Sequence, residues 1–330
     1  MLQARKPILE PRTPTVSVII PYYNTAQYVV GTLESLFAQT YTDFEVILVN
    51  DGSPDTKEFE RLLEPYRDRI IYIKQENRGS SAARNTALRR ARGPYVALLD
   101  SDDLWEPEYL AVQVAALDDN PQIDVTFPNA LLFGESINAG KTFMDICPVD
   151  GEITFLRLIT QQCNVFIGVT ARRDAILRAG MFDESLGSAE DLDLWLRILR
   201  QGGHIAYSRR ILAHYRQRPG SHTSNPLWLM RNNLKLLDKV QRTMNLTTEE
   251  LAVIEEHRAR VYASQRLYEG KKAFFLGDTK KAIEGLTEAN TYFRSGKIAF
   301  MLRMLHLAPR LLLHAYTFRD RFVFRADTKF

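Results

Sequence analysis

Apolar residues along this chain follow two rhythms. Short unbroken runs, Val16 to Ile20, Glu45 to Val49, Ile70 to Ile73 and Tyr95 to Leu99, are mostly β-branched or aliphatic and do not alternate with polar residues. That is the pattern of strands buried on both faces. Between the runs, apolar residues return every three or four positions: Val29, Leu33, Leu36 and Phe37 share one helix face, and Ala83, Ala87, Leu88 and Ala91 another. The order βαβαβαβ predicts an α/β fold with a mostly parallel sheet covered by helices, and ligands at the carboxyl ends of the strands. Three polar clusters, Pro21-Tyr22-Tyr23-Asn24, Asn50-Asp51-Gly52-Ser53 and Asp100-Ser101-Asp102-Asp103, directly follow predicted strands and should share one crevice. From Asp124 to Ser224, shorter strands mix with helices, including Ile153 to Gln162 and Asp191 to Arg200, and complete the same domain.

From about Leu227 the composition changes. Gly and Pro become rare, and Leu, Ala, Lys, Arg and Glu recur at helical spacing. Tyr268-Glu269-Gly270 and Leu276 to Ala282 look like one helix-turn-helix unit of the tetratricopeptide kind. A single unit cannot form a solenoid, so it reads as a helical hairpin. The expected plan is a tail over 1–14, a catalytic domain over 15–226 and a helical extension over 227–330. Late in the extension, Ile298, Phe300, Met301, Met304, Leu305 and Leu307 mix with Lys297, Arg303 and Arg310, and Arg319, Arg321, Arg325 and Lys329 follow. Two readings fit: a helix packed on the catalytic domain, or a peripheral contact with an anionic membrane surface.

Bulk properties narrow the classes. The chain has 330 residues, 45% hydrophobic and 25% charged, enough for a large core. A net charge of +3 is too small to suggest nucleic-acid binding. Cys147 and Cys163 form no framework, and no His stands at metal-ligand spacing, so neither disulfides nor zinc are expected. The first fourteen residues lack a run of signal-peptide length, and no apolar run approaches the ~20 residues of a membrane span. A cytoplasmic protein is expected, with the inner membrane face as its place if it is peripheral. No Gly-x-Gly-x-x-Gly follows a predicted strand, which argues against a dehydrogenase. Pro21-Tyr22-Tyr23-Asn24 is not the Gly-rich basic loop of a nucleotidyltransferase.

The carboxylates carry the chemistry. Asp100, Asp102 and Asp103 stand together after an apolar strand that cannot neutralise them. Such a group either holds a hard cation, Mg²⁺ or Mn²⁺, shared with a diphosphate, or caps a helix near Pro107. Asp51 either accepts hydrogen bonds from a base edge, with Tyr22 or Tyr23 stacking on that base, or only shapes a turn. Arg84, in a loop of small residues leading into a helix, can reach a phosphate or ribose. Glu190 and Asp191 begin a helix and either compensate its dipole or supply a general base.

Together these segments resemble the inverting, family 2 type of glycosyltransferase with the GT-A fold, in order over about Val16 to Ser224. The resemblance rests on Val16 to Asn24, Val49 to Asp55, Asn77 to Asn85, the aspartate cluster, and Gly180 to Glu184 followed by Glu190 to Arg197. It implies a GT-A-type α/β/α sandwich in which Pro21, Tyr23 and Asp51 hold the nucleobase. Arg84 would approach the nucleotide, with Asn24 and Ser101 in the same binding set. Asp100 would meet the ribose, Asp102 the metal directly, and Asp191 would be the base, leaving Asp103 as a helix cap. Trp195 and Arg197 belong to the motif, where packing and an ion pair account for them. Arg218 stands where the family often has His, so Arg216, Arg218 or His222 would meet the diphosphate instead. The implied partners are a nucleotide-diphosphate sugar, uridine-based by family default, and a glycan or lipid-linked acceptor. The competing class is a non-catalytic binding module with a vestigial sheet domain.

Overall fold

The computed structural model describes residues 13–218 and 225–312. They fall into two compact units, 1–221 and 222–330. The first is built on an eight-stranded, mostly parallel sheet in the order β3-β2-β1-β4-β7-β6-β8-β5. Strands β1 (Val16–Tyr22), β2 (Phe44–Asp51), β3 (Ile71–Gln75) and β4 (Tyr95–Leu98) form its parallel half, with β1 between β2 and β4. Helices α1 (Ala26–Phe37), α2 (Thr56–Leu63) and α3 (Ser80–Arg90) connect them. The predicted βαβαβαβ order is therefore present. Val18, Ile19, Ile20, Ile47, Leu48 and Val96 are fully buried, as expected of strands covered on both sides. At the entry to β4, a Cβ on Gly93 would lie 2.8 Å from the Ser17 nitrogen, so only glycine lets this turn touch β1.

The other half runs through β5 (Leu104–Trp105), α4 (Tyr109–Asp119), β6 (Ile123–Gly134), α5 (Phe143–Ile146), α6 (Phe155–Ile159), β7 (Thr170–Arg172), α7 (Arg173–Arg178), α8 (Glu190–Arg200) and β8 (His204–Gln217). Here β7 runs antiparallel to both β4 and β6, and β8 lies parallel to β6. The register slips around Pro128 and Asn129, where proline has no N–H for the ladder. The helix expected over Ile153 to Gln162 is shorter. Thr154 caps it by accepting from the Arg157 nitrogen, and Gln161 ends the turn with a left-handed φ of 57°.

The second unit is helical: α9 (Pro226–Thr243), α10 (Thr248–Phe275), α11 (Thr279–Phe293) and α12 (Gly296–Leu307). The expected hairpin is α10 with α11. Asp278 caps α11 by accepting from the Lys281 nitrogen at 3.1 Å. The two helices cross glycine on glycine, and a Cβ on Gly285 would stand 2.8 Å from the Arg266 carbonyl oxygen. No helix among the described residues is long and apolar enough to cross a membrane.

Candidate active site

Strand β2 ends on Asp51, which is 3% exposed. Its Oδ1 accepts from the Arg78 nitrogen at 2.9 Å and Gln75 Nε2 at 2.8 Å, and its Oδ2 from the Gly79 nitrogen at 2.7 Å. The carboxylate thus fixes the loop that leads into α3, and among the described residues Oδ2 accepts this one bond, leaving an acceptor direction for a further donor. Gly52, at φ 64°, lets the next turn press against Asn77, where a Cβ would come within 2.6 Å of backbone. At the end of β1 the two tyrosines separate. Tyr22 is fully buried and stacks on Phe59 at 3.6 Å, so it belongs to the core and cannot meet a base. Tyr23 is 47% exposed. Asn24 takes a left-handed φ of 53°, which Asn tolerates, and its nitrogen donates to Ser53 Oγ at 2.7 Å. Pro21 precedes them in β1, opposite Val49.

The aspartate cluster follows β4. Ser101 turns inward, its hydroxyl paired with Thr25 Oγ1 at 2.7 Å and its carbonyl accepting from Thr32 Oγ1 at 3.1 Å. It supports the turn from within. Asp102 Oδ2 accepts from Arg218 Nε at 2.8 Å. Asp103 is no helix cap: α4 begins after Glu108, and Asp103 Oδ1 accepts from the Arg216 nitrogen at 2.8 Å. This bond ties the cluster to the end of β8. Arg216 completes the tie by donating from Nε to the Asp102 carbonyl, its guanidinium 4.3 Å from the rings of both Tyr28 and Phe133. Burial, then the Asp100 charge, raises the Asp102 carboxyl above its ordinary range despite Arg218. Burial and the two neighbouring aspartates push Asp103 up further.

Arg84 joins this cluster to the second carboxylate centre. Only 5% of its side chain is exposed. One guanidinium nitrogen donates to Asp100 Oδ1 at 2.8 Å and the other to Glu190 Oε1 at 2.9 Å. Glu190 also accepts from Ser80 Oγ at 3.2 Å. The next residue, Asn85, holds the backbone of Phe182 from both sides: Nδ2 donates to its carbonyl at 2.8 Å, and Oδ1 accepts from its nitrogen at 3.0 Å. Sequence reasoning passed over Asn85. The signal was the run Ser80-Ser81-Ala82-Ala83, whose small side chains let α3 approach its neighbours and bury the polar residues that follow.

Helix α8 starts from Ala189, a non-glycine residue at a left-handed φ of 62°. Such a conformation costs on the order of 1 kcal/mol or more and persists where its surroundings enforce it. Asp191 follows, surrounded by protein while keeping some contact with solvent. Burial first, and the Glu190 charge second, push its carboxyl up to about 7. The remaining motif residues are structural: Trp195 is buried in the core, and Arg197 pairs with Asp193 at 2.6 Å while donating to the Met181 carbonyl at 2.7 Å. His222 lies outside the described residues.

The family model "Glycosyl transferase family 2" matches residues 17–167, and so takes in β1, β2, Arg84 and the aspartate cluster. An uncharacterized glycosyltransferase of Rickettsia prowazekii is 30% identical over 249 residues, covering 74% of this chain and 76% of that protein. The chain belongs to glycosyltransferase family 2. Of several other curated relatives it spans only 28% to 35% of the length. Two solved structures share the fold: S. aureus TarS 1-349 in complex with UDP-GlcNAc, and the mannosyltransferase PcManGT of Pyrobaculum calidifontis in complex with GDP-Man and Mn²⁺. The first has a TM-score of 0.61 at 21% identity, covering 93% of this chain and 91% of that one. The second has a TM-score of 0.58 at 20% identity, covering 96% and 86%.

In this family 2 chain Tyr23, Asp51, Asp100 and Asp102 stand at or just beyond the carboxyl ends of β1, β2 and β4, and Glu190 and Asp191 at the start of α8. Among the described residues no three His, Cys, Asp or Glu side chains converge as a ready metal site. The donor set instead fits a hard cation held by one or two carboxylates and completed by a ligand's phosphate oxygens. Asp102 has the right chemistry: its charge is destabilised by burial and by Asp100, and Arg218 is the one side chain that donates to it among the described residues. A hollow of about 690 Å³ beside the β2–α2 turn is lined by Gly52 to Glu58 and Lys74. None of Asp51, Asp102 or Asp191 borders it; the candidate site is the set of carboxylates at these element ends, linked through Arg84.

Proposed function

We propose that this chain transfers a sugar from a nucleotide-diphosphate sugar, a uridine diphosphate sugar by preference, to a hydroxyl of a glycan or lipid-linked acceptor, inverting the anomeric centre. The observation that carries the reading is the Arg84 bridge, whose guanidinium holds Asp100, on the proposed donor side, and Glu190, the neighbour of Asp191, on the proposed acceptor side. Tyr23 offers its exposed ring to the base, and the free acceptor direction of Asp51 Oδ2 suits a base-edge N–H. Asp100 would face the ribose, and Asp102 would hold the metal. A bound Mg²⁺ or Mn²⁺ would supply charge neutralisation of the departing diphosphate. Arg218, which donates to Asp102, would meet the same oxygens.

In the reaction the acceptor oxygen bonds to the anomeric carbon as the bond to the diphosphate oxygen breaks. The electron pair leaves with the diphosphate, and the acceptor proton passes to Asp191. A carboxylate poised near neutrality suits that transfer. Membership of family 2, with Asp51, Asp102 and Asp191 all in place, weighs against a vestigial binding module. Donor-bound relatives in fold carry UDP-GlcNAc or GDP-Man, which supports a nucleotide sugar here. The test is a thermal-shift screen with uridine, guanosine and thymidine diphosphate sugars, with and without Mn²⁺. A Mn²⁺-dependent rise with one donor, lost in Asp102→Asn, is expected; no response to any donor would sink the reading.

A further inference from the structure

We infer that the face of α12 turned away from α10 and α11 docks on an anionic lipid bilayer. The inner side of this helix is already used. Met301 and Leu305, with Leu312 just beyond, are buried with Ala273, Phe274, Ala282 and Leu286 of the α10–α11 hairpin. A helix that buries one side normally shows a polar opposite side. Here Phe300 and Leu307 are instead 62% and 81% exposed, and Leu311, just past the helix end, is 66% exposed. Lys297 and Arg303 are exposed too, and within α12 the positions 297, 300, 303 and 307 keep helical spacing along one stripe; Arg310 and Leu311, also exposed, follow the break at Ala308. The outer face therefore alternates large apolar and basic side chains.

Charge decides between the two occupants that an apolar stripe can take. No Asp or Glu occurs from Gly296 to Leu312. From Gly296 to Phe330 there are seven Lys and Arg against two Asp, a surplus of +5, while the whole chain carries only +3. Everything before Gly296 is thus net acidic, and the positive charge is gathered at one end. A symmetric contact between two copies would set this basic stripe against itself, which like-charge repulsion opposes. A surface of anionic headgroups attracts each Lys and Arg, and their long aliphatic stems leave Phe300, Leu307 and Leu311 free to enter the acyl boundary.

This inference does not depend on the transferase reading. The test is co-sedimentation of the full chain with phosphatidylcholine vesicles, with and without phosphatidylglycerol. At least ~tenfold tighter binding to the anionic vesicles is expected. The exposed triple change Phe300→Ser, Leu307→Ser, Leu311→Ser should remove most binding at unchanged helical circular dichroism. Arg303→Gln with Arg310→Gln should bring binding down to the neutral-vesicle level. Asp191→Asn should bind vesicles like wild type, which separates this site from the crevice. Failure to bind anionic vesicles, equal binding by the triple variant, or a wild-type dimer that the triple variant dissolves would each overturn it.

Discussion

Asp191 is held in surroundings that oppose its ionisation, and this has consequences for rate and for stability. As the proposed base, Asp191 must be deprotonated to act, so kcat/KM should fall as the pH drops below about 7. Glu190→Gln removes the neighbouring charge that adds to burial, so this acid limb should move to lower pH. A pH–rate profile of the two proteins checks it; an unmoved limb would show that Glu190 does not set the base. For stability the sign is opposite to that of a salt-bridged aspartate. The folded state holds its proton up to about 7 while the unfolded chain releases it near 3.8, so stability falls as pH rises between these values and stays low above. Asp191→Asn should therefore be more stable than wild type at pH 8, by roughly 1–3 kcal/mol, and show little gain at pH 4. Denaturant melts at the two pH values measure the difference.

At the scale of elements, α3 acts as the spine of the site, since Arg84 and Asn85 reach β4, α8 and the Phe182 turn from consecutive positions. In the proposed reaction Arg84 acts as a positioning residue, through Asp100 and Glu190. Arg84→Ala should cost about 3–5 kcal/mol by leaving two carboxylates without their partner, and Arg84→Lys should restore most of the stability but less of kcat, because one ammonium cannot hold both in a fixed fork. Chemical melts beside initial rates separate the two effects, and equal recovery of both would remove the positioning role. In the helical unit, Gly285→Ala should cost about 1–3 kcal/mol, because backbone rather than a flexible side chain blocks its Cβ. Elements of this kind differ in how much the sequence reveals. Strands β1, β2 and β4 were legible because burial on both faces leaves unbroken apolar runs. The long β6 and β8 were not, since Pro128 interrupts one and Arg209 and Arg210 the other. The carboxylates were legible by type and position. Their partners were not: Asp103 looked like a cap until β8 brought the Arg216 nitrogen to it, and nothing near Arg84 in the chain announces that α8 brings Glu190 to its guanidinium. Pairs more than a hundred residues apart leave no periodic trace.

At the scale of the molecule, the sheet unit carries the crevice and the helical unit carries a basic, apolar outer stripe. A protein held at a bilayer by α12 would meet acceptors borne on lipid, which joins the two proposals without making either depend on the other. Metal dependence belongs to this scale as well. Chelation should abolish transfer and Mn²⁺ or Mg²⁺ should restore it, because a departing diphosphate beside Asp100 and Asp102 needs a cation to neutralise its charge. The central claim is that donor binding and proton removal sit on separate carboxylate centres joined by Arg84. The most direct measurement is Asp191→Asn, assayed for single-turnover transfer and, by calorimetry with Mn²⁺, for donor affinity. The account predicts transfer reduced at least ~10²-fold with donor affinity within a few-fold of wild type. Near-wild-type turnover, or donor affinity lost together with turnover, would contradict it.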